Sequence, residues 1–139
     1  MSAKAGFILI LVDNFDVEVN FYRRVLGVRE LKTWSDAHTE KAALFDAGPI
    51  RVILAQERAS SPMPHRPKAA KGRVWLGLQT STDLGAAHQL TGVGRTPDQI
   101  SAVHEALWGR GRCFFAVDPE GNAIVVGEQG VETTSRPRI

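Results

Sequence analysis

Side chains able to move a proton or attack a carbon are few and scattered in this sequence. Asp46, Glu40, His38 and His104 are the candidates for acid–base work, and none has a partner that spacing identifies. Asp46 precedes Ala47-Gly48 and reads as a turn residue. The single cysteine, Cys113, cannot form an intrachain disulfide. It lies in the apolar run Cys113-Phe114-Phe115-Ala116-Val117, and the adjacent Arg112 points to the other face of a strand. A reactive thiol wants a basic or helix-N-terminal setting, so Cys113 reads as a buried, inert one. His65 falls in a proline-rich stretch and reads as solvated. No catalytic residue is assigned.

The elements that would position these groups follow from patterning. Phe7 to Val12 is apolar on both faces of a strand. Asn14 is an N-cap and Asp16 a first-turn acid, so residues 15–26 form a helix whose apolar stripe is Val17, Phe21 and Val25, beside Tyr22 and Leu26. Gly27 ends it. Val28–Trp34, Glu40–Asp46 and Ile50–Gln56 are strands. Residues 57–72, with Pro62, Pro64 and Pro67, form an exposed linker. Val74–Leu78 is the next strand.

Two readings of the following stretch stay open. Thr96-Pro97-Asp98-Gln99 is a capping signal for a helix over 97–107. Repetition of the first half instead makes 83–91 the helix and 100–105 a strand. Cys113–Val117 and Ala123–Val126 flank Asp118-Pro119-Glu120-Gly121-Asn122 and read as a hairpin, because Pro119 presets φ and Gly121 tolerates a positive one. Residues 129–139 read as a frayed tail.

At 139 residues the chain favours one domain, able to bury a core without disulfide or structural metal. Its net charge of +2 is spread along the chain rather than gathered on one face, which argues against nucleic acid as a partner. No apolar run reaches the roughly 18 residues of a membrane span, and no signal peptide is visible, so a cytoplasmic location is expected.

The two halves share one plan: a strand, a capped helix, then strands ending in a hairpin. With Val12-Asp13-Asn14 leading to Phe21-Tyr22-Arg23-Arg24-Val25-Leu26-Gly27, Trp108-Gly109-Arg110-Gly111-Arg112, and Asp118-Pro119-Glu120-Gly121-Asn122, the sequence resembles the vicinal oxygen chelate superfamily. That group includes glyoxalase I, the bleomycin-resistance proteins and extradiol dioxygenases. The resemblance covers about residues 6–128. It implies an α+β fold of two βαβββ modules, about 6–56 and 73–128, whose curved mixed sheets surround a cleft. It also implies a homodimer.

Metal-dependent members carry ligands on strands lining that cleft. Matched by motif offset, those places hold Phe7, Ile53, Leu76 and Val125, and none offers the N, O or S donor that a divalent cation needs. No metal or other cofactor is therefore expected, and metal-dependent lyase or dioxygenase activity is argued against. Alternation adds Leu9 and Leu78 to the lining, with Arg51 its main charge, and turns Trp75 towards a helix. Trp34 and Trp108 are candidates to stack on a ligand. The expected function is metal-independent binding of a small aromatic or amphipathic molecule, neutral or anionic, in the style of drug-sequestering resistance proteins. The alternative is a glyoxalase- or dioxygenase-related enzyme with a non-standard active site.

Overall fold

The computed structural model describes residues 3–36, 39–60, 66–69, 71–106 and 111–129. Its elements are β1 (Ala3–Leu11), α1 (Phe15–Asn20) prolonged by a π-helical turn (Phe21–Val25), β2 (Arg29–Trp34), β3 (Thr39–Asp46) and β4 (Arg51–Glu57). Then come β5 (Lys71–Thr80), α2 (Leu84–Thr91), β6 (His104–Glu105), β7 (Arg112–Val117) and β8 (Asn122–Gly127). The order β-α-β-β-β thus occurs twice. The strands form one curled mixed sheet in the order β2-β3-β4-β1-β5-β8-β7-β6.

The modules meet along β1 and β5. Within each module the first and last strands are parallel, β1 with β4 and β5 with β8, while β1 and β5 run antiparallel. Phe7 stands opposite Gly77, and Leu9 opposite Trp75. Exchanging Phe7 with Trp75 and Leu9 with Gly77 converts one pair into the other. A local two-fold therefore passes through the Ile8–Leu76 pair between them. Directly opposed residues share a face of the pleat, so Phe7, Leu9, Trp75 and Gly77 all point to the same side.

That side is the concave one. Its core joins Phe7, Leu9, Leu11, Ala42, Leu44, Ile53, Ala55, Trp75, Cys113, Phe115, Ala123 and Val125. On the convex side, α1 covers Phe45, Val52 and Leu54, and α2 covers Phe114, Ala116 and Val126. Leu76 belongs to the convex side and is exposed. The expectation that Leu76 and Leu78 line the cleft, with Trp75 turned to a helix, is thereby corrected. Antiparallel pairing to β1 fixes the pleat of β5 one residue away from the motif offset.

The buried stripe of α1 also differs from the expected one. Phe15 and Val19 are buried and Tyr22 packs beside them, while Val17, Phe21, Val25 and Leu26 are exposed. Phe15, Val19 and Tyr22 lie at i, i+4 and i+7, which is equally good helical spacing. The expected caps are present: the Asn14 side chain accepts from Val17 N, and Gly27 adopts φ 71° just past the last turn.

In the second module, α2 and β6 resolve the ambiguity in favour of the repeat. Asp83 caps α2, its carboxylate accepting from Ala86 N at 3.0 Å. The capping signal at 96–99 forms a turn: Thr96 N donates to Gln99 Oε1, and Gln99 N to Thr96 O. It does not propagate, because β7 takes the backbone that a helix would use. Val117 N donates to Gln99 O, Ser101 N to Phe115 O, and Phe115 N to Ser101 Oγ. A cap is worth about 1 kcal/mol. These bonds, with Ile100 and Val103 packed against the Leu84–Phe114 cluster, outweigh it.

The β7–β8 hairpin closes as expected, with Gly121 at φ 90°. The Asp118 carboxylate accepts from Asn122 Nδ2, Asn122 N and Glu120 N at 2.8–2.9 Å. Those donors, the Asn122 amide foremost, hold the Asp118 carboxyl below its ordinary range.

Gly77 is the tightest point of the join. A Cβ there would lie 2.3 Å from Cζ of Phe7, a ring that is itself buried. Gly77→Ala is expected to lower stability by about 1–3 kcal/mol, the cost of overpacking a filled core. Urea unfolding checks it, and Phe7→Leu in the same chain should recover part of the loss; an unchanged midpoint for the single variant contradicts this packing.

Candidate ligand-binding face

Strand register arranges the concave residues in rows that cross the sheet. One row runs Arg29, Asp46, Arg51, Phe7, Gly77, Val125, Phe115. The row on one side of it runs Lys32, Leu44, Ile53, Leu9, Trp75, Ala123, Val117. On the other side lie Gln79, Gly127, Cys113 and His104. The middle of the face is thus apolar, and polar groups gather towards the Gln79–His104 end and the Arg29 corner.

The apolar middle is tightly held. Leu9, Ile53, Trp75 and Val125 are each 0% exposed, and Phe7 is buried over Gly77. Trp75 packs on Phe115 with ring centroids 5.0 Å apart, and His104 lies 5.0 Å from the same ring. The indole Nε1 of Trp75 is buried and has no hydrogen-bond partner among the described residues. A buried N–H left unpaired costs about 1–3 kcal/mol, so this donor favours any acceptor that reaches it.

The charged corner is internally matched. The Asp46 carboxylate accepts from Gly48 N at 3.0 Å, Arg29 at 3.3 Å and Arg51 at 3.1 Å. The Gly48 bond, the Arg29 bond and the Arg51 charge, in that order, hold the Asp46 carboxyl below its usual range. Arg51 therefore sits on the concave side as expected, but tied to Asp46 rather than presenting a lone charge. At the far edge, Trp34 packs partly buried against the core, with Lys32 Nζ 5.1 Å from its ring centre.

Of the expected lining residues, the structure brings Phe7, Leu9, Ile53 and Val125 together, with Trp34 and Arg51 at the margins of the same face. Leu76 stands on the opposite face. Trp108, Arg110, His38 and His65 lie outside the described residues. Sequence reasoning missed Trp75, Phe115 and Gln79, and it missed that Cys113 and His104 meet. A glycine in an apolar strand, Gly77, was the available signal. Glycine inside a strand marks close approach by another group, and its parity puts Trp75 and Gln79 on the approached side.

The sequence matches the family model for the Glyoxalase/Bleomycin resistance protein/Dioxygenase superfamily over residues 4–126. The chain belongs to that superfamily. No protein of curated function matches it. Among solved structures, a hypothetical protein from Bacillus halodurans C-125, BH1468, aligns with TM-score 0.70 and 17% identity, over 95% of this chain and 98% of that one. Methylmalonyl-CoA epimerase from Mycobacterium tuberculosis aligns with TM-score 0.69 and 16% identity, over 92% and 89%. The 2,2',3-trihydroxybiphenyl 1,2-dioxygenase of Sphingomonas wittichii strain RW1 aligns with TM-score 0.60 and 15% identity, over 94% of this chain and 45% of that one. At these identities the likeness shows the fold.

The ligand places that the resemblance to metal-dependent members implies can be matched to the strand register. The local two-fold makes Trp75, not Leu76, the counterpart of Phe7, so the four places hold Phe7, Ile53, Trp75 and Val125. Apolar side chains without a free lone pair do not fit a divalent cation. Among the described residues, no three of His, Cys, Asp or Glu cluster as ligands would.

A depressed carboxyl pKa contributes stability that is present above the unfolded value and lost as pH falls through the folded one. For Asp46 the advantage of wild type over Asp46→Asn should be constant above about pH 4 and fade below it. Urea midpoints of both proteins across that range test this. A difference that persists undiminished at low pH contradicts the Asp46 contacts.

Proposed function

We propose that the protein binds a small, largely apolar molecule on its concave face without a metal ion, as drug-sequestering proteins do. One observation carries the reading: in the buried apolar cluster on the concave side of the sheet, the only buried, unpartnered polar side-chain atom among the described residues is the Trp75 N–H. Apolar sites orient ligands with a few placed polar groups. Here a donor awaits an acceptor oxygen or nitrogen, with Phe115 beside it for an aromatic ring. The Arg29–Asp46–Arg51 corner holds two guanidinium groups to one carboxylate, which favours a neutral or anionic ligand over a cationic one. A second copy of the chain is the protein partner in this reading, supported by the exposed Val74 and Leu76 on the convex side.

Titration with planar aromatic and amphipathic compounds, followed by thermal shift, should find at least one that stabilises the fold. Calorimetry should then give an affinity reduced roughly 2- to 12-fold in Trp75→Phe, the value of one hydrogen bond. No response to any such compound would sink the proposal. So would stoichiometric Ni, Zn, Fe or Mn in elemental analysis of the purified protein.

A further inference from the structure

The outer side of α1 and its π-helical extension carries an apolar row that the fold does not bury. Phe15, Val19 and Tyr22 pack on the sheet, while Val17, Phe21 and Val25 are 58%, 45% and 66% exposed. Side chains four residues apart share one side of an α-helix but drift about 40° around it at each step. A π turn advances less per residue and takes that drift back. Here Leu26 N donates to Phe21 O at 3.0 Å, the bond to the fifth residue on that defines such a turn. Val25 therefore returns towards line with Val17, with Phe21 between them. Leu26, next in sequence, is exposed as well.

The row is symmetric about Phe21. A valine stands four residues before it and another four after, and Glu18 and Arg24 stand three before and three after. The other charges at the two ends are offset locally, Asp16 by Lys41 at 3.4 Å and Arg23 by Glu30 at 2.9 Å. An acidic first turn and a basic last turn make the helix complementary to a copy of itself running the other way. Turned end over end about Phe21, a second copy sets its Val25 level with Val17 and its Arg24 level with Glu18. The two helix dipoles then oppose each other, which is also favourable. A membrane surface would call for basic residues along the flanks of the row, and the acidic first turn does not suit it.

We propose that this row docks a second copy of the chain, the two helices packing antiparallel with Phe21 at the two-fold axis. Such a contact is self-complementary and closes at two chains. A few side chains cover less than the roughly 800 Å² per partner of a standard stable interface, so this dimer dissociates on dilution. The pairing rests on the proposed function only in taking a second copy of the chain as partner, and it needs no ligand.

Sedimentation velocity between about 10 μM and about 1 mM should show the mass rising from monomer towards dimer. Phe21→Glu, on an exposed helix position and checked for folding by circular dichroism, should weaken association at least about tenfold. Cross-linking tests the geometry. Under oxidation Phe21→Cys should join to itself. Val17→Cys and Val25→Cys should each fail alone and join when mixed. Like residues lie about 12 Å apart along the paired helices, and a disulfide spans at most about 7 Å between Cα atoms. Wild type, whose one cysteine is buried, is the control. A wild-type dimer that survives Phe21→Glu, or cross-links that form as readily in Val17→Cys or Val25→Cys alone as in their mixture, would overturn this pairing and leave a second copy docked elsewhere. A monomer throughout the range would overturn the pairing and the choice of partner together, and leave ligand binding standing. Sedimentation of that monomer with phosphatidylglycerol vesicles would assign the row to a membrane surface instead. The cross-linking pattern decides even where Phe21→Glu does not fold.

Discussion

The Phe7 ring lying on Gly77 is the contact on which the rest of the molecule depends. It sits where β1 and β5 join the two modules, and it works only because position 77 has no Cβ. That close approach fixes which residues of β5 face inward. Through the two-fold it makes Trp75 the counterpart of Phe7, and through the ladders it sets the concave rows out to Arg29 and His104. A slip of one residue at this join would bury Leu76 and Leu78 and put the Trp75 indole on the convex side.

Much of this was legible in the sequence. The superfamily, the βαβββ repeat, the Asp118–Asn122 turn and the inward Phe7, Leu9, Ile53 and Val125 all follow from patterning and motif order. What was not legible depended on partners distant in sequence. The pleat of β5 is set by β1, more than sixty residues earlier, and no local pattern distinguishes Trp75-in from Leu76-in when both are apolar. The turn at 96–99 carries genuine capping chemistry, and only the competing edge of β7 stops it from starting a helix. In α1 two apolar stripes exist, and the sheet beneath selects Phe15–Val19–Tyr22. Cys113 and His104 are nine residues apart, and they meet because a strand pair joins them.

The functional consequence follows from side-chain chemistry at a few positions. At the four inward places where the resemblance to metal-dependent members implies ligands, this chain holds Phe7, Ile53, Trp75 and Val125. These side chains offer a cation no donor and are packed as apolar wall. Among the described residues, the polar groups on the concave side are of a different kind: an indole donor, a thiol with an imidazole, a glutamine, a lysine, and an arginine pair balanced on one carboxylate. In the proposed function they would serve recognition of an uncharged or anionic molecule bearing an acceptor.

The central claim is that the concave face accepts such a molecule with the Trp75 N–H as donor and without a metal. The indole N–H resonance of Trp75, assigned by comparison with Trp75→Phe, reports on it directly. Titrated with 8-anilinonaphthalene-1-sulfonate, an anionic aromatic probe, that resonance should shift and saturate, with the same midpoint in the presence of EDTA as with added divalent cations. A Trp75 resonance that does not move, or one that moves only when a divalent cation is supplied, would contradict the account.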